Sequence, residues 1–135
     1  PTETDKDFRE LIDFLRDIRF ERLGAFMYSR ESMTRASSLK DQVSDNVKKE
    51  RYDELMNLQQ EISIGSGRKH IGRIIDVLID EKVVMEDNKF IGRTQGDAPE
   101  IDGVVYVTAK GVEIGDFYKV KITDTLEYDL IGEIA

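Results

Sequence analysis

The hydrophobic period of this chain changes once, from helical spacing before Ile64 to strand alternation after it, and that change limits the folds open to it. In the first stretch Phe8, Leu11, Ile12, Leu15 and Ile18 recur at three- and four-residue spacing. Thr4 stands three residues before Asp7, as in an N-terminal cap, so the pattern predicts an amphipathic helix of about four turns. Ser44 is expected to cap a second helix reaching about Ile64, with Val47, Tyr52, Leu55, Met56 and Ile62 inward and Lys48, Lys49, Glu50, Asp53 and Glu61 outward. Ile64-Gly65-Ser66-Gly67 reads as its end and as a flexible joint. Between the helices, Leu23 to Tyr28 is a short apolar run without alternation, as in a parallel strand buried on both faces.

A single strand between two helices has no ladder partner and two open edges. The first stretch therefore either completes a larger α/β sheet whose other strands lie upstream of Pro1, or packs on the second half. A chain starting at Pro1 rather than Met is what a portion of a longer protein shows. The second half supplies strands of its own. Ile71, Arg73, Ile75, Val77 and Ile79 alternate with Gly72, Ile74, Asp76, Leu78 and Asp80, and Glu86-Asp87-Asn88-Lys89 carries turn chemistry before Phe90-Ile91. Val104 to Thr108, Phe117 to Thr123 and Leu126 to Ile134 read as three further strands, with Gly111 and Gly115-Asp116 punctuating the connection. Five short strands in about 65 residues predict a small closed barrel of OB type.

Composition removes several classes of function. The 135 residues are 39% hydrophobic, and no apolar run approaches the roughly 18 to 20 residues of a membrane span, so a soluble cytoplasmic protein is expected. There is no cysteine, hence no disulfide, no thiolate metal site and no iron-sulfur ligation by this chain. Twenty basic and 28 acidic residues give a formal charge of −8, which repels phosphate and argues against generic nucleic-acid binding.

Several segments, in order along the chain, resemble a known family. Pro1-Thr2-Glu3-Thr4 with Asp7-Phe8 is similar to a Pro-Gly-Glu-Thr segment of the methylthiotransferases, a branch of the radical S-adenosylmethionine enzymes, where it opens a late helix of the radical barrel. Thr2 replaces the usual glycine. Tyr28-Ser29-Arg30-Glu31 with Thr34 and Ala36 resembles the segment ending the last barrel strand, with Met33 at a glycine position. Glu50-Arg51, Leu55-Met56 and Gln59-Gln60-Glu61-Ile62 resemble the connector helix, and the loop 92–103 with Gly115-Asp116-Phe117 resembles the family's TRAM domain.

The resemblance, closest to the RimO type, implies an α+β chain: residues 1–64 a helix-strand-helix end of the radical barrel with the connector helix, residues 65–135 a five-stranded antiparallel OB-like TRAM barrel. It implies a cytoplasmic parent enzyme with two 4Fe-4S clusters and S-adenosylmethionine, adding a methylthio group to an aspartate of small-subunit ribosomal protein twelve. No cluster ligand is present, so this chain alone is expected to be inactive, with substrate recognition as the role of its barrel. Residues 62–135 hold nine basic and fourteen acidic side chains, a formal −5, which suits a basic protein partner better than tRNA. A tRNA-modifying relative, a stand-alone OB-like RNA- or protein-binding module, and a scaffold using helix 44–64 are the alternatives.

The candidate site is the polar loop 92–103. Asp97, Glu100 and Asp102 either contact basic side chains of the substrate or are simply solvated. Arg93 is expected to order the loop by pairing with Asp97 or Asp102, or to bind substrate, and Gly103 to serve a tight turn. Tyr28 is placed by the resemblance near the adenosylmethionine, with plain packing as the other reading. His70, the only histidine, reads as exposed polar filler, with no second histidine or cysteine to share a metal.

Overall fold

The computed structural model describes residues 1–135, which divide into two compact units, Pro1–Ile62 and Ser63–Ala135. The first is helical. Helix α1 (Asp5–Ile18) opens on the expected cap: Thr4 Oγ1 accepts from the Asp7 amide at 3.2 Å, and the Asp7 carboxylate accepts from the Thr4 amide at 2.8 Å. One turn, α2 (Arg35–Ser38), follows, and then α3 (Asp45–Arg68), whose first turn Ser44 caps. Phe8, Ile12 and Leu15 of α1 bury against Leu55 of α3, with Leu23, Ala25, Met56 and Leu58 around them. Leu11 and Ile18, on the same predicted stripe, stay largely exposed. Arg51 ties the two helices together through Glu3 and Asp5, each at 2.6 Å, and its guanidinium lies 5.5 Å from the Phe8 ring.

Two expectations for this unit fail. Residues 23–28 form no strand, because the unit contains no other strand to pair with, and Phe26 is 97% exposed. Nor does α3 stop at Ile64-Gly65-Ser66-Gly67: it continues through both glycines to Arg68. Tertiary packing overrides propensity there, since a Cβ on Gly67 would lie 2.2 Å from Thr125 Oγ1.

The second unit is a closed five-stranded barrel, so helices followed by a small OB-like barrel is the architecture, as expected. Its strands are β1 (Ile74–Lys82), β2 (Lys89–Arg93), β3 (Val105–Thr108), β4 (Phe117–Thr125) and β5 (Leu130–Ile134), in barrel order β1-β2-β3-β5-β4. Four pairings are antiparallel, but β3 and β5 pair in parallel, Val105 opposite Leu130 and Val107 opposite Gly132. The expected all-antiparallel barrel is corrected at this one seam, where strands distant in sequence close the ring. Val77, Ile79, Val105, Val107, Val120 and Ile122 fill the interior at 0% exposure, and Val77 and Ile79 follow the alternation expected for the first strand. Chain direction then sorts the connections. The β2–β3 loop, the β4–β5 hairpin and the entry to β1 share one end of the barrel, while the β1–β2 hairpin and the β3–β4 loop share the other.

Candidate functional site

The polar loop between β2 and β3 is built from its own side chains. Asp97, buried, accepts through Oδ2 from the Thr94 amide at 3.2 Å and the Thr94 hydroxyl at 2.6 Å. Its backbone amide donates back to the Thr94 carbonyl at 3.2 Å. One turn later Asp102 Oδ2 accepts from the Ala98 amide at 2.8 Å, and the Asp102 amide donates to the Ala98 carbonyl at 3.2 Å. These Asp-capped turns satisfy the backbone locally, which holds the loop in one shape.

Glu100 and Ile101 are among the side chains that the loop leaves exposed. Glu100 adopts φ +63° at the apex, a left-handed conformation uncommon outside glycine, and it is exposed. Ile101 beside it is 83% exposed. Among the four residues singled out in sequence, Asp97 and Asp102 therefore frame the loop and Glu100 is presented by it. Arg93 pairs with neither loop aspartate: its Nη1 meets Asp80 Oδ1 at 2.8 Å across the β1–β2 ladder. Leu78 is the Cα partner of Arg93, and Asp80 lies two residues further on the same outer face, within diagonal reach.

The sequence also hides how the loop is fastened to the next hairpin. Asp129 Oδ1 accepts from the Val104 amide at 2.9 Å, and the Leu130 amide donates to the Val104 carbonyl at 2.9 Å. Gly103 is required by this approach rather than by a turn conformation, because a Cβ there would lie 2.0 Å from the Tyr128 carbonyl oxygen. Asp129 is a site residue that sequence reasoning missed. An acidic residue before a strand gives no local sign that it caps an amide 25 residues away.

Tyr28 lies in the first unit, beside a cavity of about 410 Å³ lined by Phe8, Leu15, Leu23, Lys48 and Leu55 among others. Its hydroxyl is buried with no partner, Lys48 Nζ donates to its carbonyl at 3.1 Å, and the same ammonium lies 5.9 Å from its ring. His70 is not simple exposed filler, since it is half-buried in the turn after α3 with Nδ1 enclosed and unpartnered. No three histidine, cysteine, aspartate or glutamate side chains gather where a metal could sit. The residues present, with no cysteine among them, do not fit an iron-sulfur cluster.

Fold and loop together define a TRAM-type barrel behind a helical segment, and residues 71–135 match the TRAM domain family. Over its whole length the chain is similar to RimO-type methylthiotransferases. It is 48% identical over 135 residues to the ribosomal protein uS12 methylthiotransferase RimO of Clostridioides difficile, covering 99% of this chain and 30% of that protein. The RimO proteins of Desulfitobacterium hafniense and Petrotoga mobilis are each 47% identical, over 100% of this chain and 30% and 31% of their own lengths. The chain thus spans about 30% of the length of the curated relatives it matches.

Proposed function

We propose that the protein containing this chain is a methylthiotransferase acting on ribosomal protein uS12, adding a methylthio group to the β-carbon of an aspartate. Similarity from the first residue to the last, at up to 48% identity to proteins of that name, carries the reading. Residues 1–64 contribute the end of a radical S-adenosylmethionine barrel and its connector helix. The apolar run 23–28, unpaired within its unit, is the strand that such a barrel would take up. Two 4Fe-4S clusters and S-adenosylmethionine belong to the rest of that protein, and Tyr28 is assigned to the neighbourhood of the adenosylmethionine. The parent works in the cytoplasm.

Residues 65–135 recognise the substrate. Asp97 and Asp102 hold the loop, Arg93 braces the strand that leads into it through Asp80, and Glu100 with Ile101 offers a carboxylate and an apolar contact to a basic protein. The formal −5 of residues 62–135 supports a basic protein over tRNA, because it opposes phosphate at long range. Deleting the gene that encodes this chain tests the proposal by mass spectrometry of uS12 and of bulk tRNA. Loss of the methylthio mass from uS12, with tRNA unchanged, is expected. Intact uS12 in the deletion strain would overturn it.

A further inference from the structure

The end of the barrel that carries the polar loop also carries a groove of about 600 Å³, bounded by the last turns of α3 and by the β4–β5 hairpin. Its floor is apolar and open: Ile71 is 44% exposed and Leu126 46%, with Tyr128 beside them. Its two walls differ in sign. Asp124 and Glu127 stand exposed on the hairpin, and Arg68 stands exposed on the helix. Neither Glu127 nor Arg68 forms an ion pair or side-chain hydrogen bond. Asp124 spends one oxygen, Oδ1, on the Thr125 amide at 2.8 Å.

Both walls are set before anything binds. Gly67 seats the helix directly on Thr125, whose hydroxyl proton is shared between the carbonyls of Leu126 at 3.0 Å and Asp129 at 3.2 Å. The Leu126 amide closes the hairpin onto the Asp129 carbonyl at 2.9 Å. A groove so fixed loses little freedom on binding. Its volume suits two or three side chains rather than a whole domain.

We propose that this groove receives an extended segment of the substrate protein carrying a lysine or arginine next to an apolar side chain. The proposal rests on the reading that the barrel contacts uS12. The aliphatic stem of the cation lies over Ile71, Leu126 and Tyr128, and its head meets Glu127 and the free oxygen of Asp124. Arg68 fixes direction: it repels the cation from the helix wall and offers donors to the carbonyls of an extended backbone. A nucleic-acid strand fits worse, because one guanidinium faces two carboxylates in a barrel of net negative charge.

Titration calorimetry of the 135-residue chain against purified uS12 tests this. Glu127→Lys is expected to weaken binding about tenfold, since it replaces an attraction with a repulsion. Glu113→Lys makes the same charge change in the β3–β4 loop at the opposite end, and about twofold or less is expected there. Leu126→Ala leaves charge alone and is expected to cost about threefold through lost stem contact. Each variant is checked for an unchanged thermal midpoint, which the exposed, unpaired side chain of Glu127 permits. If native chain binds uS12 and the two reversals weaken it equally, the groove assignment falls and the substrate reading stands. If the native chain does not bind uS12, both fall.

Discussion

The two units solve the backbone problem differently. In the barrel every strand has two neighbours, so no edge is left open and the interior closes on six side chains of zero exposure. In the helical unit the run from Leu23 to Tyr28 has no ladder, and Phe26, Met27 and Met33 face outward. Phe14 and Phe20 pack ring on ring, 5.8 Å apart, yet both remain substantially exposed. One core thus closes on itself and the other stays open on a side. Closure of the hydrogen-bond ring separates them.

Matched truncations in the two cores should show the largest effects and put that comparison at risk. Ile79 in the barrel and Ile12 in α1 are buried to 0% and 1% exposure. Ile79→Ala should cost about 4 kcal/mol, because a closed barrel cannot collapse around the cavity. Ile12→Ala should cost about 2 kcal/mol, because helices can shift toward it. Urea unfolding of each variant measures the difference, and equal costs would mean that closure does not govern rigidity here.

The loop makes a smaller claim of the same kind. Gly103→Ala forces a methyl group against the Tyr128 carbonyl and should cost about 1–3 kcal/mol. Gly96→Ala, whose Cβ would meet nothing nearer than Thr94 Oγ1 at 3.7 Å, should stay within about 0.5 kcal/mol. Thermal denaturation separates the two, and a neutral Gly103→Ala would show that loop and hairpin are not held together as described.

Gln59 probes the open unit. It is 1% exposed, and its Nε2 donates to the Phe20 carbonyl at 2.9 Å while its Oε1 is buried without a partner. Gln59→Leu removes one made bond and one unmade one, so a net cost of about 1 kcal/mol is expected. Hydrogen exchange around residues 19–23 should quicken with it, whereas exchange in the barrel strands should not.

What was legible in the sequence follows the range of the interactions. The α1 cap is written in residues three apart, and the inward face of β1 in strict alternation from Ile75 to Ile79, so both are legible locally. The parallel β3–β5 seam depends on which strand ends meet across the ring, and no local pattern carries it. Gly65 and Gly67 look like a helix stop until Thr125 is known to press on Gly67. The same limit applies at the loop. Thr94, Asp97 and Asp102 are neighbours in sequence and pair locally, but Arg93 finds Asp80 only once the β1–β2 register is set. The run 23–28 failed for the opposite reason: its composition asks for strand neighbours that its own unit does not hold.

The smallest expected effect lies at the start of α1 and is sharpened by pH. The Thr4 side chain, and then the Thr4 amide, hold the Asp7 carboxyl below its ordinary value of 3.8 by hydrogen bonding to its charged form. A group whose folded pKa is depressed contributes stability that is present above 3.8 and lost as pH falls through the folded value. Thr4→Ala removes the hydroxyl but leaves the amide, so near neutral pH it should cost about 0.5–1 kcal/mol. As pH falls through that lowered value the native chain protonates Asp7 as well and gives up the same bond, so the gap between native and variant should narrow. Circular dichroism melts at descending pH follow that convergence. A gap that stays constant with pH would mean that the cap stabilises α1 through its bond to the Asp7 amide alone, with the carboxylate contributing nothing.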